Sequence, residues 1–230
     1  MNKLIPFIIL SALSGAPATG QSGTTRYPGA FNKISVGSEI DAELVASDTA
    51  RLEVNFKGVD ASGLLAEVED STLSLRMKTG TYDKRDLKLK VYHTGLNLIE
   101  SQGRANVWST GTIPAQELTL NLNNGGSMRL KVDCGRLSSE LIQGSILIIE
   151  GTADTLDLKV SSGATFSGYN LMVKEADVLS NSAGKAKINV SDVLKAKAVS
   201  GGFIGYMGEP GVLETRARMK GEIRKAYPEE

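Results

Sequence analysis

The sequence predicts an all-β chain, most of it a β-solenoid of coils about 20 residues long, closed at its N-terminal end by a cap of β-strands. Three observations predict this. Glycines recur at a nearly constant interval through the C-terminal two-thirds. Apolar triplets keep step with those glycines. No window carries a sustained 3.6-residue period of the kind an amphipathic helix requires.

Residues 1–20 read as a secretory signal peptide. Lys3 supplies a positive start, Leu4 to Leu13 a short apolar run, and Ser14, Gly15, Ala16, Ala18, Thr19 and Gly20 a small-residue tail with cleavage expected after Ala18 or Gly20. The run is shorter than the roughly 20 residues that span a bilayer, so no transmembrane segment is expected there. Residues 21–30 read as a short linker, and residues 31–225 as a single solenoid domain.

Within that domain, residues 31–94 alternate apolar and polar side chains: Ile34 and Val36, then Ile40, Ala42 and Leu44, then Leu52, Val54 and Phe56, then Leu73, Leu75 and Met77, then Leu87, Leu89 and Val91. Period two marks half-buried strands, and Gly37-Ser38, Ser47-Asp48 and Glu69-Asp70-Ser71 are turn signals between them. These strands are expected to form the cap and first coils.

Residues 95–225 repeat. Gly103, Gly125, Gly144, Gly163, Gly184, Gly201 and Gly221 follow at intervals of 22, 19, 19, 21, 17 and 20. Ahead of them run Leu118, Leu120 and Leu122; Leu137, Ser139 and Leu141; Leu156, Leu158 and Val160; Ala176, Val178 and Ser180; and Ala196, Ala198 and Ser200. One coil of this length cannot bury its apolar side alone, so the coils must stack. Glycine with Asn or Ser beside it suits the corners, where the backbone turns sharply. Arg216, Arg218, Lys220, Arg224 and Lys225 charge the last edge, which is expected to discourage end-to-end stacking.

Composition narrows the chemistry. Of 230 residues, 26 are Lys or Arg and 26 Asp or Glu, so no basic excess favours a nucleic-acid partner. Cys134 is the single cysteine and His93 the single histidine, which rules out an intrachain disulfide and a Cys-based zinc site. His93 ends an apolar strand and reads as a surface residue rather than a general base. Cys134 reads as a small buried filler. No metal site, catalytic residue or cofactor is expected. Asp154 and Asp157, with Glu175 and Asp177 one coil on, are the densest acidic group, and a solvated outer face accounts for them equally well.

Phe31-Asn32-Lys33-Ile34-Ser35-Val36-Gly37, the serial Ser-x-Gly corners, and Tyr206-Met207-Gly208-Glu209-Pro210 after Ser200-Gly201-Gly202 carry a resemblance. From Phe31 to Lys220 the chain resembles the bacterial auto-transporter adhesin head (GIN) domain family, a domain of unknown function. The resemblance implies a right-handed parallel β-helix-like solenoid and an exported, periplasmic, secreted or cell-surface location. It implies no catalytic residues.

Ser145-Ile146-Leu147-Ile148-Ile149 has four apolar residues in a row, and half of them must point away from the core. With Ile146 and Ile148 taken as inside, Leu147 and Ile149 face out, and the same register turns Trp108, Phe166, Ile204 and Tyr206 outward. Trp108, Leu147, Ile149, Phe166 and Tyr206 are therefore the candidate binding residues. Their cover is either the N-terminal strands folding back or a partner: another protein, a glycan stacking on Trp108 and Tyr206, or a second copy in a homo-oligomer. The leading expectation is an exported, non-enzymatic adhesin-like or scaffold module binding through a solenoid face. The alternatives are a carbohydrate-active β-helix enzyme and a self-assembling envelope protein.

Overall fold

The computed structural model describes residues 22–56, 63–78 and 87–227. The expected signal peptide lies outside them. No α-helix occurs among the described residues, and the chain forms a β-solenoid of about seven turns with coils of about 19 residues.

Eight short strands open the chain: β1 (Ser22–Arg26), β2 (Lys33–Val36), β3 (Asp41–Ala46), β4 (Arg51–Phe56), β5 (Leu64–Glu69), β6 (Thr72–Met77), β7 (Leu87–His93) and β8 (Leu98–Ser101). Five long ones follow: β9 (Asn106–Leu122), β10 (Ser127–Leu141), β11 (Ile146–Val160), β12 (Thr165–Ser180) and β13 (Lys185–Val199). β14 (Phe203–Met207), β15 (Val212–Arg218) and β16 (Glu222–Lys225) end it. Each long strand pairs in parallel with the next, so Ser127 lies beside Ile146, Ile146 beside Thr165 and Thr165 beside Lys185. One strand of this kind wraps most of a coil. Its first half continues one wall and its last half the opposite wall.

The registered triplets become columns through the core. Leu120, Ser139, Leu158, Val178 and Ala196 stack, all buried. Ser139 is tolerated inside because its hydroxyl donates to the Leu120 carbonyl at 3.3 Å; Ser101 and Ser180 likewise donate to the carbonyls of Ala105 and Gly184.

At each corner two consecutive residues take positive φ: Asn124-Gly125, Gln143-Gly144, Ser162-Gly163, Ser182-Ala183 and Ser200-Gly201. The second of each pair donates its amide to the corner of the next coil, as Gly125 to Gln143 at 3.0 Å and Gly144 to Ser162 at 3.0 Å. This is the glycine ladder, with one refinement. Gly184 sits a position later than Gly125, Gly144, Gly163 and Gly201, where backbones touch: a Cβ at the equivalent Gly126 would stand 2.2 Å from the Ser101 carbonyl oxygen.

The N-terminal part departs from expectation twice. Ser22–Arg26 is not linker but an antiparallel edge strand on β4. Nor does the cap fold back over the repeats. It extends both walls, with β7 and β4 beyond β3, and β6 and β5 beyond β2. The β2–β3 coil lies between the β6–β7 coil and the β8–β9 coil, so chain order and stacking order differ.

Candidate functional site

The expected outer stripe is inverted. Leu147, Ile149, Phe166 and Ile204 are buried, and Ile146 and Ile148 are the exposed pair, at 46% and 40%. Tyr206 is half-buried and packs against the core. The reason is register: Leu147 stacks between Met128 and Phe166, both buried, so the column fixes the phase that four consecutive apolar residues leave open. Of the five candidate residues only Trp108 lies on the outer side, level with Arg129, Ile148 and Ser167. Toward the C-terminal end that wall carries Tyr169, whose hydroxyl lies over Gly205, with the Lys187 ammonium 5.7 Å from the Tyr169 ring and the Arg224 guanidinium 4.9 Å from that of Phe203. Neither of the two recesses described below lies on this wall.

A recess lies on a third side, where the long strands bend between walls. In β10 strict alternation runs to Cys134, and then Gly135 and Arg136 both turn away from the core before Leu137 goes back in. That lost beat is the bend; it recurs at Ala115 to Leu118, Ala153 to Leu156 and Val173 to Ala176, and in β13 the bend is one residue longer, with Ser191, Asp192 and Val193 all out of the core between Val190 and Leu194. Stacked, the bends make a groove of about 770 Å³ across five coils. Its floor is the column Ala115, Cys134, Ala153 and Val173, and one wall is Pro114, Asp133, Thr152, Met172 and Asn189. Gln116, Asp154, Lys174 and Ser191 line the other wall. The floor is low because its side chains are small, and Gly135 leaves room for the Gln116 amide, which a Cβ there would meet at 2.9 Å. The walls are tied: Thr152 donates to Asp133 at 2.6 Å, and Lys174 pairs with Asp154 at 2.7 Å, which holds the Lys174 ammonium above its usual range. Met172 projects freely, 64% exposed.

The sequence reading missed this groove. Its signal was present as small residues 19 apart at Ala115, Cys134 and Ala153, on a side of the coil where alternation fails.

Cys134 is buried in the floor, its Sγ 3.8 Å from the Thr152 carbonyl oxygen. Burial first, then the Asp133 and Asp154 carboxylates, push the thiol up to about 11, which suits packing and disfavours nucleophilic attack. His93 is a correction. It is buried, not on the surface, its Nδ1 has no hydrogen-bond partner among the described residues, and burial lowers its pKa. The acidic residues separate at the bend. Asp154 lines the groove. Asp157, Glu175 and Asp177 lie beyond it in a shallow cleft of about 250 Å³, with Arg136 and Lys195 alongside. Among the described residues no three His, Cys, Asp or Glu side chains converge as a metal site would need.

Residues 30–210 match the family described as "Putative auto-transporter adhesin, head GIN domain". The chain belongs to that family. Solved structures agree on the GIN-domain fold. A "putative adhesin" from Bacteroides fragilis NCTC 9343 superposes with a TM-score of 0.82 at 19% identity, covering 91% of this chain and 99% of its own. A "putative adhesin" from Parabacteroides merdae ATCC 43184 gives 0.74 at 21% identity, covering 91% and 97%. A "putative lipid binding protein" from Parabacteroides distasonis ATCC 8503 gives 0.71 at 19% identity, covering 91% and 98%. At such identities the likeness is one of fold. No curated protein matches the chain. No helix among the described residues of this GIN domain is long and apolar enough to cross a membrane.

Proposed function

We propose that this GIN domain is an exported, non-enzymatic adhesin-like module that holds an extended, uncharged glycan chain in the groove across its coils. The groove carries the reading. It is large enough for several sugar units, and it offers low apolar surface at Ala115, Ala153, Val173 and Met172 for sugar C–H faces. Amide and hydroxyl groups of Gln116, Asn189, Thr152 and Ser191 stand at its rims. Its clearest charges are matched, Asp154 with Lys174, which favours a neutral chain over a polyanion. The groove repeats along the axis, as a polymer does. The family's adhesin description and the apolar run at residues 4–13 support export.

The test is binding of the mature chain to immobilised neutral glycans, namely dextran, β-1,3-glucan and N-acetylglucosamine oligomers. Thr152→Trp with Met172→Trp fills the groove from exposed positions. Binding should fall about tenfold or more with the melting temperature unchanged, while Ile146→Ser with Ile148→Ser on the flat wall should leave it intact. Absence of binding to all three glycans, or binding indifferent to the filled groove, overturns the proposal. Deleting residues 1–20 should retain the protein in the cytoplasm on cell fractionation.

A further inference from the structure

The two ends of the solenoid are finished differently. At the N-terminal end the outer strands are antiparallel, and their inward side chains, Leu52, Val54, Leu64 and Ala66, are buried. At the C-terminal end, among the described residues, β15 pairs only with β13, and β16 only with β14. All seven residues of β15 are exposed. The column Leu118, Leu137, Leu156, Ala176 and Leu194 is buried at every level, yet its last member, Leu213, is 46% exposed. Among the described residues the core ends there uncovered, beside a strand with one free edge, and such an edge invites another strand.

We propose that this end is the interface of a symmetric dimer, in which β15 pairs antiparallel with β15 of a second copy. The sequence of β15, Val212-Leu213-Glu214-Thr215-Arg216-Ala217-Arg218, is complementary to itself in that orientation. Antiparallel pairing about Thr215 sets Glu214 opposite Arg216 of the other copy, and Arg216 opposite its Glu214. These are two equivalent ion pairs on the outer side. On the core side it sets Leu213 against Ala217, large against small, twice. A two-fold contact demands this reciprocity, and opposite charges facing across strands stabilise the pairing. In β16, Glu222 and Arg224 flank Ile223 in the same alternating order, so this second edge is self-complementary in the same sense. The basic residues of the last edge therefore do not form a uniformly repulsive surface: Glu214 and Glu222 interrupt them in the places this register needs. Head-to-tail stacking lacks that reciprocity, and it would lay an uncovered core on an end whose inward residues are already covered.

Charge exchange tests the register. Glu214→Arg alone, or Arg216→Glu alone, places like charges opposite each other twice. Each should weaken the dimer about tenfold or more in sedimentation equilibrium, since like-charge juxtaposition across an interface is costly. The double variant Glu214→Arg with Arg216→Glu restores both pairs and should restore the dimer. Thermal melts at low protein concentration control for folding, because both positions are exposed. A wild-type chain that stays monomeric at high micromolar concentration overturns the proposal, as does a double variant no better than either single one. Oligomers that lengthen with concentration beyond two copies would indicate head-to-tail stacking and overturn it too.

Discussion

Leu147 and Ile148 are neighbours of nearly equal volume on one strand, and truncating each to alanine measures the register of the whole wall. Leu147 is fully buried between Met128 and Phe166, one coil to either side. Leu147→Ala removes about three carbons, or about 2.4 kcal/mol of transfer free energy at ~0.8 per methylene. A cavity cost is added. Phe166 is itself fully buried and cannot swing into the gap, while the flexible Met128 can fill part of it. The expected loss is therefore about 3 kcal/mol, inside the range for buried leucines. Ile148 is 40% exposed and leaves no enclosed void, so Ile148→Ala should cost about 1 kcal/mol or less. Urea unfolding with a slope of about 2–3 kcal/mol/M would show the first as a midpoint drop of about 1 M or more, and the second as a few tenths. Equal losses, or a larger loss at Ile148, would refute the inward placement of Leu147, and with it the stacking of Met128, Leu147 and Phe166.

Two further predictions bear on the corner and the cap. Gly126→Ala should destabilise by about 2 kcal/mol or more because its Cβ would stand 2.2 Å from the Ser101 carbonyl oxygen, whereas Gly144→Ala, with open space and only a positive φ to strain, should cost about 1 kcal/mol in the same urea titration. His93 is held neutral by burial, its pKa lowered from 6.5, so the unfolded chain binds more protons than the folded one just below that pH. Stability should then fall as pH drops through about 6.5, by at most about 1.4 kcal/mol per pH unit. As this is the only histidine, His93→Leu should flatten unfolding free energies measured between pH 7.5 and 5.5, and an unchanged slope would contradict the burial.

The sequence alone determined the coil. A corner needs two residues at positive φ and a close backbone approach, which limits it to Gly, Asn, Ser and a few others, so corners are legible wherever they recur. The triplets around Leu120, Leu158 and Val178 were legible too, because each has charged or polar neighbours that mark the outward side. Ile146 to Ile149 has no such neighbours, so alternation carried no phase there, and only the column through Met128 and Phe166 settled it. The groove was hidden for a related reason. It forms where alternation loses a beat, at Cys134-Gly135-Arg136, and a lost beat looks like noise until the bends of successive coils lie side by side. The stacking of the cap was beyond any local signal. Lys88 pairs with Asp41 across a gap of 47 residues that matches no repeat, because β7 docks on the free edge of β3 and leaves the other edge for β9. Spacing along a chain specifies how a coil closes; which coil lies against which is decided by the strand edges left unpaired.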